Sequence, residues 1–175
     1  MSWWKFRGFW GILQRSPALN QIQKEHLFPK EFLIQLCKLS AIVPEKREIL
    51  VANALYQGFE GDFGSAIHLL APQVENMVRQ LLKRNNLVTT HTDQDGIENE
   101  MGLSSLVSMD QARGILGDDL WFELQAVFTD SLSANLRNEV GHGLLDDDTS
   151  NYAYSIYAWW VVLRLIVETL IKSLY

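Results

Sequence analysis

The 175 residues read as an all-α helical bundle. Apolar residues recur three, four and seven positions apart in several long segments, which is the period of a helix that buries one face. The period-two alternation of half-buried strands is nearly absent. All four prolines, at positions 17, 29, 44 and 72, stand where a helix begins or bends.

Ser16-Pro17 reads as a helix start, with serine as N-cap and proline in the first turn, and Pro29 restarts a second helix that runs through Cys37 and Leu39. Pro44-Glu45-Lys46-Arg47-Glu48 opens the next, which carries Ile49, Leu50, Ala54 and Leu55 on one side and stops near Gly58. Asp62 is placed to cap the strongest helix. Its stripe is Ala66, Ile67, Leu70, Val74, Met77, Val78, Leu81 and Leu82, with Pro72 expected to bend it. Residues from Asn85 to Gly102 are rich in threonine, aspartate and glycine and read as a long, mobile loop. Short helices follow around Leu103 to Leu116 and Leu120 to Leu132, the second burying Trp121, Leu124, Val127 and Phe128. A helical turn or helix end spans Asn135 to Val140. After an acidic break at Asp146-Asp147-Asp148, the last helix runs from about Tyr152 to Ser173 and packs through Trp159, Val162, Leu163 and Ile166.

The length fits one domain with a substantial core, or a piece of something longer. Hydrophobic residues make up 47% and charged residues 21%, an ordinary balance for a soluble globular chain. The net charge of −6 is unevenly spread: residues 1 to 85 hold eleven Lys and Arg against seven Asp and Glu, whereas residues 86 to 175 hold four against fourteen. The halves are therefore +4 and −10, and the second repels a polyanion on average, which weighs against a non-specific nucleic-acid binder. It leaves room for an enzyme that grips one or two phosphates locally. Cys37 is the only cysteine, so an internal disulfide is excluded, a buried thiol is expected and the default location is cytoplasmic. Arg164, Glu168 and Lys172 recur every four residues in the last apolar segment, which marks an ion-paired amphipathic helix and not a membrane insertion. The aromatic start, Trp3-Trp4-Lys5-Phe6-Arg7-Gly8-Phe9-Trp10, is expected to pack on this domain or on a neighbour.

The densest chemistry lies in Asn135-Leu136-Arg137-Asn138-Glu139-Val140-Gly141-His142-Gly143. Arginine is charged at every biological pH and presents a fork of donors that fits a phosphate, while histidine moves protons near neutrality. Residues five apart point about 140° away from each other on a straight helix. Gly141 and Gly143 bracket His142, so the backbone is expected to bend at this histidine and return its ring to the face of Arg137 and Asn138.

Arg137-Asn138-x-x-x-His142-Gly143 resembles the RNxxxHG signature of a domain-of-unknown-function family in the HEPN (higher eukaryotes and prokaryotes nucleotide-binding) superfamily. Pro72-x-x-Glu75-x-x-x-Arg79-x-Leu81-Leu82 is similar to a second block of that family, at the right distance upstream. The resemblance covers Pro44 to Tyr175, which divides the chain into an N-terminal helical and aromatic extension, 1–43, that packs on a HEPN-like domain, 44–175.

The resemblance implies a HEPN-type bundle with metal-independent ribonuclease chemistry and no cofactor. An RNA 2′-hydroxyl would attack its own 3′-phosphate, with His142 moving the proton, Arg137 stabilising the phosphorane and Asn138 orienting the phosphate or the ring. The products would be a 2′,3′-cyclic phosphate and a 5′-hydroxyl. A homodimer is implied as well, because one histidine does not readily serve as base and acid on opposite sides of phosphorus. Glu75, Arg79 and Asn135 stand behind these residues: Glu75 beside Arg137 would fix the guanidinium. The plainer reading makes Glu75 and Arg79 a surface pair at i and i+4, and His142 a helix-terminal residue capping carbonyls while Arg137 pairs with Glu75, Glu139 or an aspartate. The rival function is a non-catalytic module that binds a nucleotide or phosphate or stabilises a dimer, and a larger parent chain or a regulatory partner is compatible with either. His26, His68 and His91 lack metal-ligand spacing, and Gly58-x-x-Gly61-x-x-Gly64 lacks the lysine and the strand of a phosphate-binding loop.

Overall fold

A computed structural model describes residues 17 and 19–172. The Ser16 cap, the aromatic start and Ser173 at the end of the last helix lie outside them. The described residues form an all-α bundle with one small hairpin. Helix α1 is Lys30–Leu39, α2 Glu48–Phe59, α3 Phe63–Arg84, α4 Leu103–Val107, α5 Ala112–Leu116, α6 Asp118–Leu124, α7 Leu136–Gly141, α8 Asp147–Ser150 and α9 Ala153–Lys172. Leu33, Cys37, Ile42 and Val43 join the same core as α2, α3 and α9, so packing is continuous across position 44.

Helix α3 is the spine. It packs against α2, α9, α7, α8 and α4. The Asp62 carboxylate accepts the Ser65 amide at 2.9 Å and caps its start, Lys83 and Arg84 complement the negative end of its dipole, and the helix runs through Pro72 without ending. Its stripe buries Ala66, Ile67, Leu70, Val74, Met77, Val78 and Leu82, as the periodicity predicts, while Leu81 at its edge is half-buried. Helix α2 differs from the expected phase. Ala54 and Leu55 are buried, but Ile49 and Leu50 face solvent and Val51 and Ala52 take the core. Ile49-Leu50-Val51-Ala52 is an unbroken apolar run, so two adjacent stripes fit the sequence equally well and tertiary packing chooses between them.

The expected mobile loop is instead partly structured. Strands β1 (Thr90–Thr92) and β2 (Glu98–Glu100) pair antiparallel, with Thr90 opposite Glu100 and Thr92 opposite Glu98. Asp93 closes the turn, accepting the amides of Asp95 at 3.0 Å and Ile97 at 2.9 Å. Such short strands, exposed on both faces, carry no apolar alternation to read. The acidic break also orders: Asp146 forms a capping box with Thr149 that starts α8. Trp121, expected to be buried, is only half-buried; its indole N–H donates to the Val107 carbonyl at 2.9 Å and Arg113 stacks over its ring.

Helix α9 brings Trp159, Val162 and Ile166 into the core, fully buried. Arg164 pairs with Glu123 of α6 and lies 3.5 Å from Glu168, so the anticipated stripe also ties two helices together. The segment Asp147–Lys172 is long and apolar enough to cross a membrane by length and composition, and a third of its most apolar window is buried. Trp159 sits edge-on to Phe59 and Phe63, and its indole donates to the Leu55 carbonyl at 3.2 Å. Gly58 makes that seat: a Cβ there would stand 2.1 Å from the indole nitrogen. Gly58→Ala is therefore expected to destabilise the protein by about 1–3 kcal/mol through overpacking. Gly114→Ala, with open space around the new methyl, should not. Thermal denaturation followed by circular dichroism compares the two; equal melting temperatures would refute the account.

Candidate active site

Helix α7 carries the motif and is only six residues long, so its position depends on what holds its ends. Leu136, buried, and Val140, half-buried, face the core at i and i+4. A π-helical turn, Gln125–Thr129, precedes it and closes with the Asp130 amide on the Gln125 carbonyl at 2.8 Å. Asn135 then takes a left-handed conformation, φ +46°, which asparagine tolerates better than most residues. Its carbonyl accepts the amides of Asn138 at 2.9 Å and Glu139 at 3.0 Å. Asn135 thus acts through its backbone, as the residue that turns the chain into α7.

At the other end, Gly143 has φ +65°, its amide donates to Val140 at 3.2 Å, and the Leu144 amide donates to Glu139 at 2.8 Å. This pair of bonds around a left-handed glycine is a Schellman closure. The expected bend is thereby corrected: the His142 amide still donates to the Asn138 carbonyl at 2.9 Å, so the helix continues to His142 and turns after it. Only Gly143 uses glycine's freedom. His142 itself lies just past α7 as its C-cap, φ −101° and ψ 1°, five positions beyond Arg137 and four beyond Asn138. No hydrogen bond or ion pair joins these three side chains. His142 is exposed and Asn138 half-buried.

Arg137 is held elsewhere. Its Nε donates to Glu75 Oε2 at 2.8 Å. Glu75 Oε2 also accepts the Leu103 amide at 3.0 Å, at the otherwise unsatisfied start of α4, and Oε1 accepts Arg79 Nη2 at 2.8 Å. Glu75 pairs with Arg79 along α3 and with Arg137 across to α7, and the pair expected at the surface is instead mostly enclosed, Glu75 16% and Arg79 12% exposed. Burial raises the Glu75 carboxyl, but the bonds from Arg79, Leu103 and Arg137 outweigh it and hold the pKa below the ordinary glutamate value. Arg79 Nη2 donates further to the Met101 carbonyl at 2.8 Å, and its Nε lies 3.1 Å from Glu100 Oε2. Lys83 reaches Glu100 Oε1 at 2.6 Å.

The hairpin end and α4 therefore belong to the site, and the sequence did not point to them. Leu103 contributes only a backbone amide, Met101 only a carbonyl, and Glu100 lies in a stretch read as loop. Gly102 offers the one usable signal, a glycine just before a helix. A Cβ there would lie 3.5 Å from Arg137 Nη2, so the guanidinium rests against this backbone.

Chemically, the two arginines differ. Arg79, 12% exposed, is held by two acceptors through Nη2, with its Nε buried near Glu100 but without a hydrogen bond, whereas Arg137 is 39% exposed and neither of its Nη nitrogens has a hydrogen-bond partner among the described residues. That leaves an oriented fork open to an anion. Among the described residues no group of three His, Cys, Asp or Glu is placed to hold a metal ion. An apolar cavity between Ile42, Met77, Leu116, Leu124 and Val162 contains none of the motif residues.

Glu75→Gln should cost about 2–3 kcal/mol near neutrality, because it leaves Arg79 short of a buried acceptor. The Glu75 pKa is lowered in the folded state, so the contribution is fully present above the ordinary value of 4.5 and disappears as pH falls through the depressed pKa. Denaturant unfolding at a series of pH values should show the gap between wild type and Glu75→Gln closing in acid; a gap independent of pH would contradict it. Separately, Gly143→Ala should lose about 1 kcal/mol at its positive φ, whereas Gly141→Ala, helical and unobstructed, should not. The same unfolding measurement decides that pair.

Comparison with known proteins finds no family model that matches the chain, no curated protein that matches its sequence and no solved structure that matches its fold.

Proposed function

We propose that this chain is a HEPN-type, metal-independent endoribonuclease acting at the Arg137, Asn138 and His142 constellation. The observation that carries the reading is the Arg137 guanidinium, 39% exposed, tied through Nε to Glu75 and without a hydrogen-bond partner at either Nη among the described residues. A fork held in that way suits the equatorial oxygens of a phosphodiester.

In the proposed reaction the ribose 2′-oxygen bonds to phosphorus and gives its proton to His142. Arg137 balances the charge that builds on the phosphorane oxygens, and Asn138 orients the phosphate. The bond from phosphorus to O5′ then breaks and O5′ takes a proton, leaving a 2′,3′-cyclic phosphate and a 5′-hydroxyl. One histidine does not readily serve as base and acid on opposite sides of phosphorus, so a second copy would supply the opposite proton-transfer group. Leu132 and Leu144, 82% and 60% exposed on either side of α7, are apolar surface that such pairing would cover.

A second reading, anion binding without cleavage, draws on one observation: His142 is exposed, and among the described residues its ring has no hydrogen-bond partner to hold it for proton transfer. Incubation of the purified protein with a structured RNA in EDTA separates the two. The nuclease reading expects cleavage to cyclic-phosphate ends, lost by at least about a hundredfold in Arg137→Ala and in His142→Ala at unchanged melting temperature. RNA retained intact but bound through Arg137 would establish the second reading. Light scattering should report a dimer; full activity from a strict monomer would refute the composite site.

A further inference from the structure

Two arginines meet on one carboxylate, and their division of it is unequal. A carboxylate and a guanidinium left to themselves commonly pair through two parallel N–H···O bonds. Glu75 does not do this with Arg137. Oε2 takes Arg137 Nε at 2.8 Å together with the Leu103 amide at 3.0 Å, while Oε1 is taken by Arg79 Nη2 at 2.8 Å. Arg79 is itself fixed, since the same Nη2 reaches the Met101 carbonyl at 2.8 Å and Nε lies 3.1 Å from Glu100, which Lys83 holds in turn.

We propose that Arg79 is a positioning residue: by occupying Oε1 of Glu75 it confines Arg137 to a single bond through Nε and so reserves both Nη nitrogens for the phosphate. The inference rests on the reading of Arg137 as a phosphate contact. Charge supports it as well as geometry. Arg79, Lys83 and Arg137 face only Glu75 and Glu100 in this cluster, three cations against two carboxylates. Arg79 is enclosed and Lys83 is paired at 2.6 Å, so the surplus positive charge falls on Arg137. Without Arg79 the cluster would be neutral, Glu75 Oε1 would be open, and Arg137 would turn its fork inward onto the carboxylate.

Nitrogen-15 spectra of the arginine side chains in the full chain test this, with the Arg137 signals identified through Arg137→Lys and inorganic phosphate as the probe. In wild type, phosphate should shift the Arg137 Nη signals and leave Nε in place. In Arg79→Met, rotation of the Arg137 Nη groups should slow and phosphate affinity should fall about tenfold, the scale of one lost charge-assisted contact. Arg79→Lys, which keeps a cationic donor on Oε1, should recover most of that affinity. Unchanged affinity and unchanged Nη rotation in a folded Arg79→Met would overturn the proposal. Should Arg79→Met fail to fold, the wild-type titration decides alone, because displacement of Nε by phosphate would show that the single bond is not preserved. If phosphate moves no Arg137 signal in wild type while Nη rotation still slows in Arg79→Met, the positioning stands and the phosphate reading falls.

Discussion

A carboxylate that is mostly shielded from water must find donors for both oxygens, and in this protein that requirement falls on Glu75, 16% exposed. Its three donors come from three elements: Arg79 from α3, the Leu103 amide from the start of α4 and Arg137 from α7. The bonds do separate jobs. The first keeps the acceptor local to the spine helix, the second caps a five-residue helix with no capping side chain of its own, and the third fixes a side chain on a helix too short to be stable alone. Withdrawing this carboxylate would loosen three attachments together, which is why the placement of the candidate site and the stability of its surroundings are hard to separate.

The precision of that node depends on α3, and α3 depends on the aromatic packing beneath it. Trp159 is seated by the missing side chain of Gly58 and flanked by Phe59 and Phe63 at the turn from α2 into α3. Tight packing in this region transmits displacement, because a close-packed interior has few voids in which to absorb it. A helix anchored by its first turn in this way carries Glu75, Arg79 and Lys83 along one face at four-residue intervals. Their register therefore originates at the far end of the helix from the charges that use it.

Much of this was legible beforehand, for reasons that differ by residue. Asp62 as a cap and the α3 stripe follow from local rules whose partners lie within one or two turns. The pairing of Glu75 with Arg79 was equally local. Its second pairing, with Arg137, lies sixty-two residues away, and nothing in spacing alone proposes it; resemblance to a known pair of blocks did. Backbone contributions were invisible by nature, since Leu103 and Met101 act through atoms that every residue possesses. The phase of α2 failed for another reason, a surplus of apolar residues that made two faces equivalent. The bend at His142 failed because two glycines were available and only the second has a positive φ.

Charge adds a directional constraint under the proposed ribonuclease reading. Arg137 stands in the half of the chain that carries −10, and Glu139 shares its short helix while Asp146, Asp147 and Asp148 follow close behind. Screening at physiological salt reaches about 8 Å, so a strand laid over these carboxylates would be repelled at each phosphate beyond the one Arg137 holds. Along α3 the sign reverses. Arg84 lies nine residues beyond Glu75, about 13–14 Å further along the helix axis, and is exposed, while Lys83 beside it is paired with Glu100. Exposed Lys38 and Arg47 belong to the same positive half, and the bond from Arg84 to the Ala41 carbonyl joins the connection between α1 and α2 to this end of α3. A polyanion that meets Arg137 is thus expected to run toward the C-terminal end of α3 and away from α8, so that one local grip and one distant patch together define its polarity on the surface.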